Sequence, residues 1–305
     1  MIIMNMISNK YLLPLFFVVF PLCFCCVAVA QENVAMHFAA RPMSASDFAV
    51  AGAKGSGGLL FESKKLDADV SYVYPGKGSV SYVGLDADFL VMDNLAVSLD
   101  AAYGMGKSYD TYNISGIRTG SFKPGELMLK FGAGYRFTQS LAANVRLGYL
   151  SESLAENASY GAFAADLSVN AMFSVSDMTE VAAEAGVYNV GTAVSSASGQ
   201  KFGLPSSVGL GGGLIQNIGE KNSLQVLARM DYYFHSAVSA SLGLDFCVAD
   251  MISVRAGYRY GGKSVLPSFM SLGLGVKFAG VRLDLAYLTA SPLSNTIALG
   301  LGYSF

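Results

Sequence analysis

From Thr296 to Phe305 the chain alternates without a slip. Ile297, Leu299, Leu301, Tyr303 and Phe305 are bulky and apolar, whereas Thr296, Ala298, Gly300, Gly302 and Ser304 are small or polar. Side chains of a strand point to opposite faces with a period of two, so this is a strand with one greasy face and one crowded or wet face. A soluble sandwich strand uses the same pattern. What favours a membrane barrel is the recurrence of the pattern along nearly the whole chain.

Read by alternation and turn residues, the sequence predicts strands at 67–74, 79–91, 95–105, 125–137, 141–150, 160–173 and 180–190, then at 206–216, 223–234, 237–248, 252–260, 269–278, 281–288 and 296–305. The expected fold is therefore all-β, a transmembrane antiparallel β-barrel of about 14 strands, an even number suited to closure. The connections sort by parity. Those at 92–94, 138–140, 174–179, 217–222, 249–251 and 279–280 are tight, whereas 106–124, 151–159, 191–205, 261–268 and 289–295 are generally longer; 75–78 and 235–236 are short exceptions. Barrels of this kind have short periplasmic turns and longer extracellular loops, so both ends of the barrel segment are expected on the periplasmic side.

Residues 31–66 do not alternate. Their Gly-rich run, 51–58, followed by Leu59, Leu60 and Phe61, predicts a segment that packs tightly against other backbone, read here as a plug in the periplasmic mouth. A disordered leader is the alternative. Residues 1–30, with Lys10, an apolar run and Ala28-Val29-Ala30, read as a secretory signal peptide. The organisation expected is thus signal peptide 1–30, plug 31–66 and barrel 67–305. Leu22 and Phe24 are too bulky for the small position before a lipidated cysteine, which argues against a lipoprotein reading of Cys23, Cys25 and Cys26; Cys247 would be the lone thiol of the mature chain.

The faces follow from the alternation. Leu127, Leu129, Phe131 and Tyr135, Val145, Leu147 and Tyr149, Val254, Tyr258 and Tyr260, and Leu283, Leu285 and Tyr287 are expected to face lipid. The intervening positions carry Lys130, Arg136, Arg146, Asp166, Glu184, Arg229, Asp231, Asp245, Arg255, Arg259, Lys277, Arg282 and Asp284, expected to line the lumen. A lipid-facing Arg or Lys costs about 2–4 kcal/mol at mid-bilayer, so charge gathers on the inner face. The signs interleave, with Arg146 beside Asp166 and Asp231, Asp245 and Arg255 in succession. Neutralising pairs are favoured over an open polar path, because unpaired charge in a narrow lumen is costly. By the same logic Leu283→Arg is expected to impair insertion and Asp284→Asn to be tolerated or to cost only a lumen pair. Tyrosines near strand ends, including Tyr74, Tyr103 and Tyr303, suit interfacial girdles.

Composition agrees. A 52% hydrophobic chain with only 14% charged residues but 34 Gly and mean hydropathy of +0.43 fits a barrel better than a soluble domain or a helical membrane protein. A net charge of −2 argues against a nucleic-acid partner. His37 and His235 each stand alone in the sequence, no zinc-ligand spacing involves them or Cys247, and no Ser/His pair can be assembled, so neither a metal, a cofactor nor an enzyme activity is expected.

The stretch Ala39-Ala40-Arg41-Pro42-Met43, the Gly-rich run after it, and the ending from Leu266-Pro267-Ser268-Phe269 through Val281-Arg282-Leu283-Asp284-Leu285 to Gly302-Tyr303-Ser304-Phe305 resemble the PorV/PorQ proteins of Bacteroidota, within the FadL-like barrels. The resemblance is specific at the two ends; the family's aromatic-Asn-Pro-Ala-Gly-Leu stretch is replaced by Gly57-Gly58-Leu59-Leu60-Phe61. It implies a fourteen-stranded barrel with an N-terminal plug in a Gram-negative outer membrane, among outer-membrane lipid. The role it implies is either in type IX secretion, with secretion-system proteins and cargo as partners, or in FadL-like passage of a hydrophobic ligand. A structural or porin-like barrel is the third reading. Tyr303 and Phe305 are expected to form the signal read by the barrel-assembly machinery.

Overall fold

The computed structural model describes residues 34–54, 61, 64–76, 80–156, 158–195, 199–235, 237–261, 266–289 and 295–305. Expectations for 1–30 and for Leu59 and Leu60 lie outside the described residues.

The barrel strands are β1 (Leu66–Pro75), β2 (Ser81–Met92), β3 (Leu95–Met105), β6 (Gly125–Thr138), β7 (Leu141–Ala155), β8 (Ala158–Ser176), β9 (Thr179–Gly191), β12 (Ser207–Ile218), β13 (Asn222–Tyr233), β14 (Ala237–Val248), β15 (Ile252–Tyr260), β16 (Phe269–Phe278), β17 (Val281–Thr289) and β18 (Thr296–Ser304); two hairpins outside the wall are β4 (Tyr109–Tyr112) with β5 (Arg118–Phe122), and β10 (Val194–Ser195) with β11 (Lys201–Phe202). The fourteen wall strands form one closed antiparallel barrel, each paired with its neighbour in the chain and β1 returning to β18. Closure runs to the last residue, since Phe305 and Leu66 exchange backbone bonds, both 3.1 Å. Closure leaves no unpaired edge, which a strand in hydrocarbon cannot tolerate.

The tight turns gather at one rim. At Ala279-Gly280 both φ angles are positive, 50° and 81°, the geometry whose twist suits a two-residue hairpin. At the opposite rim the expected loop at 151–159 is largely ladder: β7 runs to Ala155 and β8 starts at Ala158, with Glu152 opposite Tyr160. Its Ser and Glu residues read as a loop by polarity, but they pair across the ladder, and a bulge between Ser153 and Ala155 turns Leu154 to the outside. The connection 106–124 carries the β4–β5 hairpin, stapled by Arg118 to Asp110 at 2.7 Å and by the tilted ring contact of Tyr109 with Phe122.

The outer face is apolar as the alternation requires. Leu283, Leu285, Leu299, Leu301 and Phe131 are all exposed, while Ala286, Ala298 and Asp284 are buried within. Tyr74 and Tyr287 both stand beside Ile297 at the long-loop rim, and Tyr135, Phe137, Tyr303 and Phe305 lie towards the short-turn rim, two belts of the kind found at membrane interfaces. Such a closed barrel with an apolar belt belongs in a Gram-negative outer membrane.

The N-terminal segment lies inside the barrel. A 3₁₀ turn (His37–Ala40) is followed by α1 (Ala45–Ala49), whose first turn is capped by Ser44 accepting from the Asp47 amide at 3.2 Å. This corrects the expected placement in the periplasmic mouth. Ala35 N–H donates to Gly203 C=O at 2.9 Å, and the Met36 amide donates to Glu152 at 3.3 Å, so the segment begins at the long-loop rim. The reason is a seat made by small inward residues. A Cβ on Gly273 would fall 2.3 Å from Ala49 Cβ, one on Gly257 2.6 Å from the Val50 carbonyl carbon, and one on Gly243 2.7 Å from Val50 Cβ. With Ala286 and Ala298 beside them, these glycines let the helix touch the wall. Ser271 then donates to Ala49 C=O and Ser71 accepts from the Ala45 amide. Phe61 packs at the other rim with Leu90 against Ala96 and Ala142.

Candidate functional site: the lumen

Beneath the plug lies a polar cavity of about 290 Å³, lined by plug residues 39–44, Asp47, Gly52 and Lys54 and by inward residues of the wall. Eight of the thirteen expected lumen residues reach it: Lys130, Arg146, Asp166, Glu184, Arg229, Asp231, Arg259 and Arg282. Asp245, Arg255 and Asp284 are held away from it in an ion-pair ladder. Arg255 binds Asp245 at 2.7 Å and also Asp284, whose other oxygen accepts from Arg282 at 2.9 Å. Arg136 donates to the Asp93 carbonyl at 2.7 Å, in the turn joining β2 and β3 rather than in the cavity. Lys277, opposite Arg282 in register, stands near the same short-turn rim.

The partners differ from those adjacency suggests. Arg146 does sit opposite Asp166 in register, but its ion pair is with Asp100 at 3.1 Å, while Asp166 pairs with Lys130 at 2.6 Å. The cause is a bulge in β9. Between Ala165 and Leu167 the ladder with β9 shifts register, and Asn189, with φ of 54°, donates its backbone N–H to Asp166 at 2.6 Å and accepts from Lys130 on its side-chain oxygen at 2.8 Å. Bulges re-aim side chains in this way. The Asn189 side-chain nitrogen also donates to Ala39 C=O at 3.3 Å, tying wall to plug. Arg229 is shared by Glu184 and Asp231, both at 2.9 Å, and covers the Tyr188 ring at 4.7 Å.

The alternation argument passed over the acid stripe of β1–β3. Asp69, Asp86 and Asp100 are successive neighbours across three strands, with Asp67 opposite Asp88. The signal was present in Leu66-Asp67-Ala68-Asp69 and Leu85-Asp86-Ala87-Asp88, where aspartates occupy every second position. Arg282 reaches Asp67 and Asp69, both at 3.5 Å. Asp47, on the plug and enclosed by the wall, has its carboxyl pushed up to about 6 by burial, with Lys54 opposing.

A packed apolar cluster adjoins this polar space. Met36 and Phe38 of the plug pack with Met128, Leu150, Val194 and Leu204, and Met43, Tyr160 and Phe202 close the sides. It lies at the long-loop rim, where Arg41 clamps Glu126 at 2.6 Å. The two histidines come into each other's electrostatic range here, and burial lowers the pKa of both.

No family model matches the chain, and no curated protein does. Among solved structures the chain is similar to the toluene transporter TodX of P. putida, at 16% identity and a TM-score of 0.53 over 86% of this chain and 97% of that one. It is also similar to the Ralstonia pickettii toluene transporter TbuX, at 10% identity and 0.52 over 81% and 90%, and to the CymD monoaromatic hydrocarbon channel, at 12% identity and 0.52 over 87% and 94%. The likeness is one of fold. It agrees with the barrel fold that the resemblance drawn from sequence implies and lends no support to its PorV/PorQ half.

Proposed function

We propose that this barrel admits small hydrophobic molecules through the outer membrane, as a FadL-like channel. The observation that carries this reading is the apolar cluster packed between plug and long-loop rim, which a ligand enters by displacing plug side chains. Its methionines, Met36, Met43 and Met128, are adaptable side chains that repack around varied apolar ligands, and one side of the cluster is the plug itself, so a ligand bound there competes with plug packing. The fold shared with toluene transporters supports the same reading. Protein shuttling in type IX secretion, implied by the sequence resemblance, has no counterpart among these similar structures, and the transport reading takes precedence over it. Cells depleted of their own hydrocarbon channels should take up labelled toluene faster when they carry this barrel, and Phe38→Asp should abolish the gain. Uptake that does not depend on the barrel would overturn the reading.

A further inference from the structure

Arg259 is buried, 4% exposed, and lines the cavity. Among the described residues Lys130, Arg146, Arg229, Arg255 and Arg282 each have a carboxylate within 3.5 Å; Arg259 has none. Its hydrogen bonds go to three neutral hydroxyls, Ser239 at 2.8 Å, Tyr233 at 3.2 Å and Ser241 at 3.2 Å, and its buried Nε has no partner among the described residues. Asp231 is reached only through Ser239, which donates to it at 3.4 Å, and Asp231 is already paired with Arg229. A buried guanidinium with a free donor and no counter-ion is costly unless an anion completes it.

We propose that Arg259 is a binding site for the carboxylate of a small organic acid that enters the cavity. The inference rests on the transport reading and names a substrate class within it: short or aromatic carboxylates. Three features select that class. A planar fork of N–H donors suits a carboxylate. A cavity of about 290 Å³ with polar walls has room for a compact molecule but offers no greasy slot for a long chain. Asp67, Asp69, Asp86 and Asp88, which line other parts of the same cavity, repel a carboxylate and so orient it towards Arg259. Pro42 and Gly52 of the plug close the site, Gly52 so near that a Cβ there would stand 3.7 Å from Arg259 Nη1.

Benzoate and toluene share a ring and differ in the acid group, which makes them the deciding probes. Calorimetry on the purified barrel at neutral pH should detect benzoate binding, and Arg259→Gln should weaken it about tenfold or more, the loss expected for a charge-assisted pair. Because Arg259→Gln can fail to assemble, Ser241→Asp supplies a second test: it places a carboxylate beside Arg259, keeps the guanidinium compensated, and should abolish benzoate binding in a well-folded barrel. Benzoate binding that survives in either variant overturns the proposal, as does its displacement by inorganic phosphate at equal concentration. A wild-type barrel that admits toluene but does not bind benzoate sinks this inference and leaves the transport reading standing. One that binds benzoate through Arg259 yet admits no toluene supports the site and removes the hydrocarbon reading.

Discussion

Leu283 and Asp284 are adjacent residues in opposite solvents. Leu283 is 59% exposed on the outside, whereas the Asp284 side chain is wholly buried between Arg255 and Arg282. Leu283→Arg should lower assembly by about 2–4 kcal/mol through charge in lipid. Asp284→Asn, expected from sequence to be tolerated or to cost only a lumen pair, should cost about 1.5–3 kcal/mol, because it removes a carboxylate shared by two guanidinium groups that keep Asp245, Asp67 and Asp69 as partners. Urea titrations of the heat-modifiable folded form would measure both losses; full stability in Asp284→Asn would show that the ladder does not hold this part of the wall.

At the scale of the element, the plug helix is too short to be stable alone and depends on its seat of glycines and alanines. Gly273→Val should unseat it, since even one Cβ there meets Ala49 at 2.3 Å, and limited proteolysis should then cut near residues 45–54 while the wall stays intact. Seating should also depend on pH through Asp47. Its carboxyl is raised from 3.8 to about 6 in the folded state, so the seated plug favours the protonated form. The stabilisation is complete below about pH 4, fades as pH rises and is lost above about 6. Proteolysis of the plug should therefore be faster at pH 7.5 than at pH 4.5. Asp47→Asn should flatten that difference; an unchanged pH profile in the variant would assign it elsewhere.

For the whole molecule, a filled lumen has an electrical consequence. A fourteen-strand wall is narrower than the porins that hold an aqueous channel, and here plug and ion pairs occupy the interior. Planar-bilayer conductance should be low or intermittent in the intact protein and should rise when residues 31–54 are removed. A large steady conductance in the intact barrel would refute occlusion by the plug.

The wall was legible in the sequence because a strand between lipid and lumen has two unlike neighbours, and every second residue must answer to one of them; 281–288 and 296–305 could be read face by face on that ground alone. Hairpin order followed from turn length, since antiparallel neighbours in the chain pair locally. What the sequence did not disclose depends on contacts between segments far apart. The glycines of β14, β15 and β16 look like generic barrel residues until Val50 and Ala49 are seen against them, and the depth of the plug is set by that fit. Arg146 beside Asp166 was a sound reading of neighbours, but a bulge at Asn189 reassigned the pair. Arg259 carries no mark that separates it from Arg255, four residues earlier on the same face. Alternation determined which side of the wall each charge occupies; only closure of the barrel around the plug decided which charges meet, because partners in a lumen are chosen across space and not along the strand.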